Sequence, residues 1–267
     1  MGYLMEDMDR FGFPIAGGWP EIDAATMKLV DDRMIEGFRI DLVQMMENAG
    51  RSLAILARVR FFTGDASSRR VVVLAGGGGN GGGALTAARR LANWGAEVCV
   101  MLAPNAREMA GVPAQQLKIL EGMGIEPVDT CAGPVDLVLD GLVGYSLTGA
   151  PRGRTAHLIE WANRQTAPIL SLDVPSGFDA SRGTISDLAI RAAATLTLAL
   201  PKRGLMAADI EQNVGAVYLA DISVPPMLFL NLPVPLDVPR FARGDIVRLL
   251  RPAEFAPAAA AGLPRGI

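Results

Sequence analysis

Residues 71–83 read VVVLAGGGGNGGG. An apolar, β-branched run stops at residues 76–83, seven of them glycine and the eighth Asn80. The segment from Ala84 to Trp94 has helical composition. Strand, glycine turn and helix together place backbone N–H groups and a helix N-terminus where they can meet an anion. Glycine there also lets a ligand approach the backbone without meeting a Cβ.

The rest of the chain repeats the alternation. Strands are expected at 71–75, 97–102, 124–128, 136–140, 168–173, 193–199 and 216–221, with helices at 84–94, 112–122 and 154–164. That order predicts a mostly parallel sheet covered on both faces. Ahead of it, Asp23 is placed to cap a helix bearing Met27, Val30 and Met34, and Gly37 interrupts that helix. A second helix follows over about 41–58, with Leu42, Met46, Ala49, Leu53 and Leu56 as its stripe. The expected organisation is an irregular segment over 1–20, one α/β domain over 21–251 and an Ala/Pro-rich tail over 252–267.

Half of the 267 residues are hydrophobic, enough for a large core, and the net charge is −3 with the basic residues scattered. That distribution argues against a nucleic-acid partner. The run from Ile222 to Leu236 lacks charge but contains four prolines and is too short to span a bilayer. The acidic N-terminus (Glu6, Asp7, Asp9) lacks a signal pattern. A cytoplasmic protein with no membrane partner is expected, and Cys99 and Cys131 read as two buried thiols.

In an open parallel sheet, ligands sit outside the carboxyl ends of the strands. Three such ends carry unusual residues. One is the glycine loop with Asn80; another is DLVLDGLVGYSLTG over 136–149, where Asp140 closes a strand; the third is LSLDVPSG over 170–177, where Asp173 does so. A carboxylate ending an apolar strand is expensive to bury alone, so a cation, a sugar hydroxyl or acid/base work is expected there. Taken singly, each feature also reads as a tight turn or a cap. The loop lacks the Lys-Ser/Thr ending of a nucleotide-triphosphatase, and the second strand ends Met101-Leu102-Ala103 without the acidic residue a dinucleotide oxidoreductase uses on the ribose. His157 reads as a surface or packed residue, Lys202 as a solvated or phosphate-facing charge, and the methionines as core filler.

These motifs resemble the YjeF N-terminal domain family, the NAD(P)H-hydrate epimerases. The family's G-N-N-G-G-D-G is similar to residues 78–84, its D-A-L-F-G-x-G-L to DGLVGYSL at 140–147, and its S-x-D-x-P-S-G to SLDVPSG at 171–177. MENAG at 46–50 and LALPKRGL at 198–205 also match, in family order. Gly79, Gly83 and Ala84 stand where the family has Asn, Asp and Gly, and Val143 stands where it has Phe.

The resemblance implies a three-layer α/β/α sandwich with a Rossmann-like sheet and two N-terminal helices. It implies a nicotinamide nucleotide hydrated on its ring as substrate, and interconversion of the two epimers so that a separate dehydratase can repair one. That dehydratase, a second domain in some members, is not expected within this chain. One potassium ion per subunit would be held by Asn80, Asp140 and Ser176. Substrate would meet Gly79, Asn80, Gly81, Gly82, Gly83, Gly144, Tyr145, Ser146, Leu147, Thr148 and Asp173, and Asp140 is the candidate acid/base group. A homodimer through the N-terminal helices is implied too. The alternative is a domain that has kept the fold as a binding or assembly module, or that acts on another small molecule.

Overall fold

A computed structural model describes residues 8–147, 149–251 and 254. The expectations for residues 1–7, for Thr148 and for the remainder of the tail lie outside the described residues.

The chain runs β1 (Ile15–Ala16), α1 (Ala24–Glu36), α2 (Leu42–Leu56), β2 (Arg70–Ala75), α3 (Gly79–Asn93), β3 (Glu97–Leu102), α4 (Gly111–Gly122), β4 (Leu137–Gly141) and α5 (Gly153–Asn163). It continues through β5 (Ile169–Leu172), β6 (Phe178–Asp179), β7 (Thr184–Ile185), β8 (Ala194–Leu198), α6 (Glu211–Val214), β9 (Ala216–Ala220), α7 (Pro226–Leu230) and β10 (Ile246–Leu249). Eight strands form one sheet in the order β1-β10-β9-β8-β5-β4-β2-β3, while β6 and β7 make a separate hairpin. All neighbours in the large sheet are parallel except β9 and β10.

Alternation along β2 explains the layers. Val71, Val73 and Ala75 face the core formed with α1 to α4, while Val72 and Leu74 face a second core with Leu158, Ile159 and Ala162 of α5. A parallel strand buried on both faces needs this unbroken apolar run. Asp23 caps α1 by accepting the Thr26 N–H at 2.9 Å, and Gly37 ends the helix. Glu47, in the MENAG segment, ties α2 to its neighbours: it pairs with Arg89 and Arg90 of α3 and accepts from Gln116 of α4 at 3.2 Å.

Several sequence expectations change. The helix after the glycine loop starts at Gly79, so Gly79 to Gly83 form its first turns. Glycine is a poor helix former, but here its missing side chain decides the packing. A Cβ on Gly81 would lie 1.8 Å from the Gly76 carbonyl oxygen, so only glycine lets the helix sit on the turn that launches it. Residues 124–128 make no strand: Val100 and Pro127 form a single bridge, because proline lacks the N–H a ladder requires. Residues 15–16, within the segment read as irregular, pair with β10, and β10 had no counterpart in the sequence reading.

Cys99 and Cys131 are joined in a disulfide, not separate thiols, with Cα atoms 6.2 Å apart. The bridge at Pro127 draws that segment alongside β3 and brings the half-buried cysteines together.

Candidate functional site

The carboxyl ends of β2, β4, β5 and β8 meet α1 and α2 around a cavity of about 370 Å³. Gly78, Gly79 and Asn80 form one edge, and Gly144, Tyr145 and Ser146 another. Asp173 and Lys202 also line it, and Met27, Met45 and Met46 give it an apolar wall. An apolar cavity with a few convergent polar groups is the usual form of a small-molecule site.

Asp140 lies beneath this cavity, fully buried. Its Oδ1 accepts the Ser176 hydroxyl at 2.6 Å; its Oδ2 accepts the Ser171 hydroxyl at 2.8 Å and the Ser176 N–H at 2.9 Å. Burial pushes its carboxyl above the usual range, and these hydrogen bonds oppose that push. The cavity walls are formed by other residues, so contact between Asp140 and a ligand ring is not part of this geometry.

Asn80 sits beside that buried group. Its amide Nδ2 donates to the Leu172 carbonyl at 2.7 Å, which turns its Oδ1 towards Gly144. A Cβ on Gly144 would lie 2.7 Å from that oxygen, so glycine is required for the loop to pass. The Ser176 hydroxyl also receives the Val143 N–H at 3.0 Å. An amide oxygen, a hydroxyl and a carboxylate from three strand ends form an all-oxygen donor set, the chemistry a hard cation takes.

Asp173 occupies the cavity floor with its backbone at φ 65°, a left-handed conformation that Asp adopts more readily than most residues. It forms an ion pair with Lys202, and its Oδ2 accepts the Tyr145 N–H at 3.1 Å. Lys202 also donates to the Leu198 carbonyl at 2.8 Å. It is therefore buried inside the site, which removes the solvated alternative of its sequence reading. The Tyr145 hydroxyl crosses to α1 and donates to Asp31 Oδ2 at 2.6 Å.

Of the sequence-derived positions, Gly79, Asn80, Gly144, Tyr145, Ser146 and Asp173 line one cavity. Gly81, Gly82 and Gly83 are buried in α3 and pack against protein. The missing Cβ of Gly83 would point at Leu172 Cδ2, 2.7 Å away, with Ala49 beyond. Leu147 lies beside the cavity, and its N–H is committed to the Gly144 carbonyl at 3.2 Å. His157 is on the exposed surface of α5. Asp31 was missed: one carboxylate on an amphipathic helix reads as a solvated charge, and only the packing of α1 on the sheet brings it here.

A mostly parallel α/β sheet with a glycine-started helix and a cavity at its carboxyl edge defines a Rossmann-like small-molecule-binding protein. Residues 42–204 match the family described as YjeF-related protein N-terminus, and the chain belongs to that family. A protein named NAD(P)H-hydrate epimerase from Dehalogenimonas lykanthroporepellens is 41% identical over 231 residues, covering 85% of this chain and 92% of that protein. One of the same name from Rhodopirellula baltica is 34% identical, covering 84% of this chain and 92% of its own length. A bifunctional NAD(P)H-hydrate repair enzyme from Salinibacter ruber is 34% identical over 78% of this chain and 42% of its own length. The crystal structure of yeast ynu0 shares the fold, with a TM-score of 0.73 at 23% identity over 86% of this chain and 100% of that one.

Proposed function

We propose that the protein is an NAD(P)H-hydrate epimerase. The observation that carries this is the cavity itself: it joins the N-terminus of α3, the 144–146 loop and the Asp173–Lys202 pair beside an apolar wall. The relatives' shared name supports the same reading.

The hydrated nicotinamide presents its saturated carbons as an apolar edge suited to the methionine wall. The pyrophosphate would meet the N-terminus of α3, where Gly78 caps the helix without any side-chain acceptor and leaves backbone N–H groups for an anion. Tyr145 and Leu147 spend their N–H groups inside the protein, which leaves the glycine turn as the donor surface for that group. Epimerisation needs the C6 hydroxyl to leave as water, assisted by the ring nitrogen lone pair, and water to return on the other face. Departure takes up a proton at the C6 oxygen and the return of water releases one; Asp173, in the cavity and within a charge-compensating pair, is the group placed to take the released proton.

Asn80, Asp140 and Ser176 would hold a potassium ion, which would balance the charge of Asp140 and stiffen the strand ends under the substrate. A separate dehydratase as the partner reaction and a homodimer follow from the family resemblance, and a cytoplasmic setting from the composition and the acidic N-terminus. For the dimer, Ile35 of α1, Phe38 of the turn after it and Leu42 of α2 are exposed apolar residues. Among the described residues no helix is long and apolar enough to cross a membrane.

The test is turnover of mixed NADHX and NADPHX epimers coupled to an S-specific dehydratase. Enzyme-dependent consumption of the R epimer supports the reading. A rate equal to spontaneous epimerisation, from folded protein, overturns it in favour of a binding role.

A further inference from the structure

We propose that Asp31, oriented by the Tyr145 hydroxyl, is a second proton-transferring carboxyl of this site, acting as the partner of Asp173. The inference rests on the epimerase reading and assigns a role to a residue outside the sequence motifs.

Asp31 comes from α1, whereas Asp173 comes from the end of β5, so the two carboxyls enter one cavity from different walls. Tyr145 connects them: its N–H donates to Asp173 Oδ2 at 3.1 Å and its hydroxyl to Asp31 Oδ2 at 2.6 Å. The Lys202 ammonium lies 6.0 Å from the Tyr145 ring centroid and forms an ion pair with Asp173, not Asp31. The environments of the two carboxyls therefore differ. Asp173 has a cation against it; Asp31 has a neutral phenol and an apolar wall.

That difference suits a reaction whose two faces need opposite proton states. The protonated carboxyl gives its proton to the C6 hydroxyl. The C–O bond breaks, its electron pair leaves with water, and the nitrogen lone pair closes a C=N bond. Water then adds to the opposite face. The C–O bond re-forms with an oxygen lone pair, the C=N pair returns to nitrogen, and the surplus proton passes to the other carboxylate. One proton moves from one carboxyl to the other, and the reverse reaction or solvent exchange resets the pair. Burial raises the Asp31 carboxyl, opposed by the Tyr145 hydrogen bond and by Lys202, with Asp173 and Asp32 adding to the rise. Asp31 therefore fits the acid role and Asp173 the base role.

The test compares wild type, Asp31→Asn and Tyr145→Phe on NADHX, with ADP-ribose binding by calorimetry as a measure of the intact site. Asp31→Asn is expected to lower kcat at least about 100-fold, with KM and ADP-ribose affinity within about threefold, the signature of lost acid–base catalysis. Tyr145→Phe retains the ring but removes a hydrogen bond that lowers Asp31. It is therefore expected to shift one limb of the kcat/KM pH profile upward, an effect that a purely structural tyrosine would not produce. A folded Asp31→Asn with wild-type kcat overturns the inference and leaves the epimerase reading standing. If Asp31→Asn does not fold, an unmoved pH profile in Tyr145→Phe overturns it instead. An inert wild type overturns both.

Discussion

Lys202 and Asp173 form an ion pair that is almost wholly removed from solvent, at 0% and 2% exposure, at the foot of a ligand-sized cavity. Two charges so placed are costly to desolvate, and hydrophobic residues would serve stability as well. Their position at that cavity is the observation behind the roles proposed for them.

Breaking that pair separates its structural and chemical roles. Lys202→Met leaves a buried carboxylate uncompensated and is expected to cost about 3–5 kcal/mol in urea denaturation. Asp173→Asn preserves the shape and is expected to lower turnover by roughly 100-fold or more. An Asn variant with wild-type turnover would remove Asp173 from the chemistry.

The glycine turn makes a second prediction. Gly81→Ala would place a Cβ 1.8 Å from a backbone oxygen, whereas Gly83→Ala would place one 2.7 Å from the end of a leucine side chain. Overpacking typically costs about 1–3 kcal/mol, and Gly81→Ala is expected at or above the top of that range with Gly83→Ala well below it. Denaturation midpoints of the two variants check the order.

Much of this was legible in the sequence. The strands β2, β4 and β5 could be read because parallel strands buried on both faces leave largely apolar runs. Asn80, Asp140 and Asp173 were legible because polar residues at the ends of such runs stand out, whereas Ser176 was named through the family resemblance. What failed depends on contacts between distant segments. The first turns of α3 were read as loop, since glycine's helix propensity is low and the packing of Gly81 on Gly76 is invisible in one dimension. The burial of Lys202 and the position of Asp31 depend on how α1 settles on the sheet, and the disulfide depends on a single bridge at Pro127.

That disulfide gives a third prediction. Cys99 and Cys131 are 32 residues apart in sequence, and closing a loop of that size typically stabilises by about 2–4 kcal/mol. The half-cystines lie away from the cavity. Cys99→Ser/Cys131→Ser is therefore expected to lower the denaturation midpoint while leaving turnover within about twofold. Unchanged stability would show that the link contributes nothing.

The pH dependence of stability follows from Asp31. Its folded-state carboxyl is raised, chiefly by burial. Its contribution is therefore fully present below the unfolded value of 3.8 and is lost as pH rises through the folded value. Asp31→Asn lacks this loss, so its stability relative to wild type is expected to improve from about pH 4 to neutrality. A constant difference across that range would contradict a raised Asp31.

Potassium is expected to bind the Asn80, Asp140 and Ser176 oxygens. At 10 to 100 times its Kd a ligand selective for the folded state adds about 1–3 kcal/mol. Tm should rise in potassium over choline at equal ionic strength, and Ser176→Ala should abolish the rise. An equal rise in that variant would place the ion elsewhere.

The most direct measurement starts from one purified epimer of NADHX and follows the appearance of the other by chromatography, with wild type and Asp173→Asn side by side. Rapid wild-type equilibration of the two epimers, with Asp173→Asn near the spontaneous rate, is the expected result. Interconversion no faster than in buffer, or equally fast in the two proteins, would contradict the assignment of this cavity as an epimerase site.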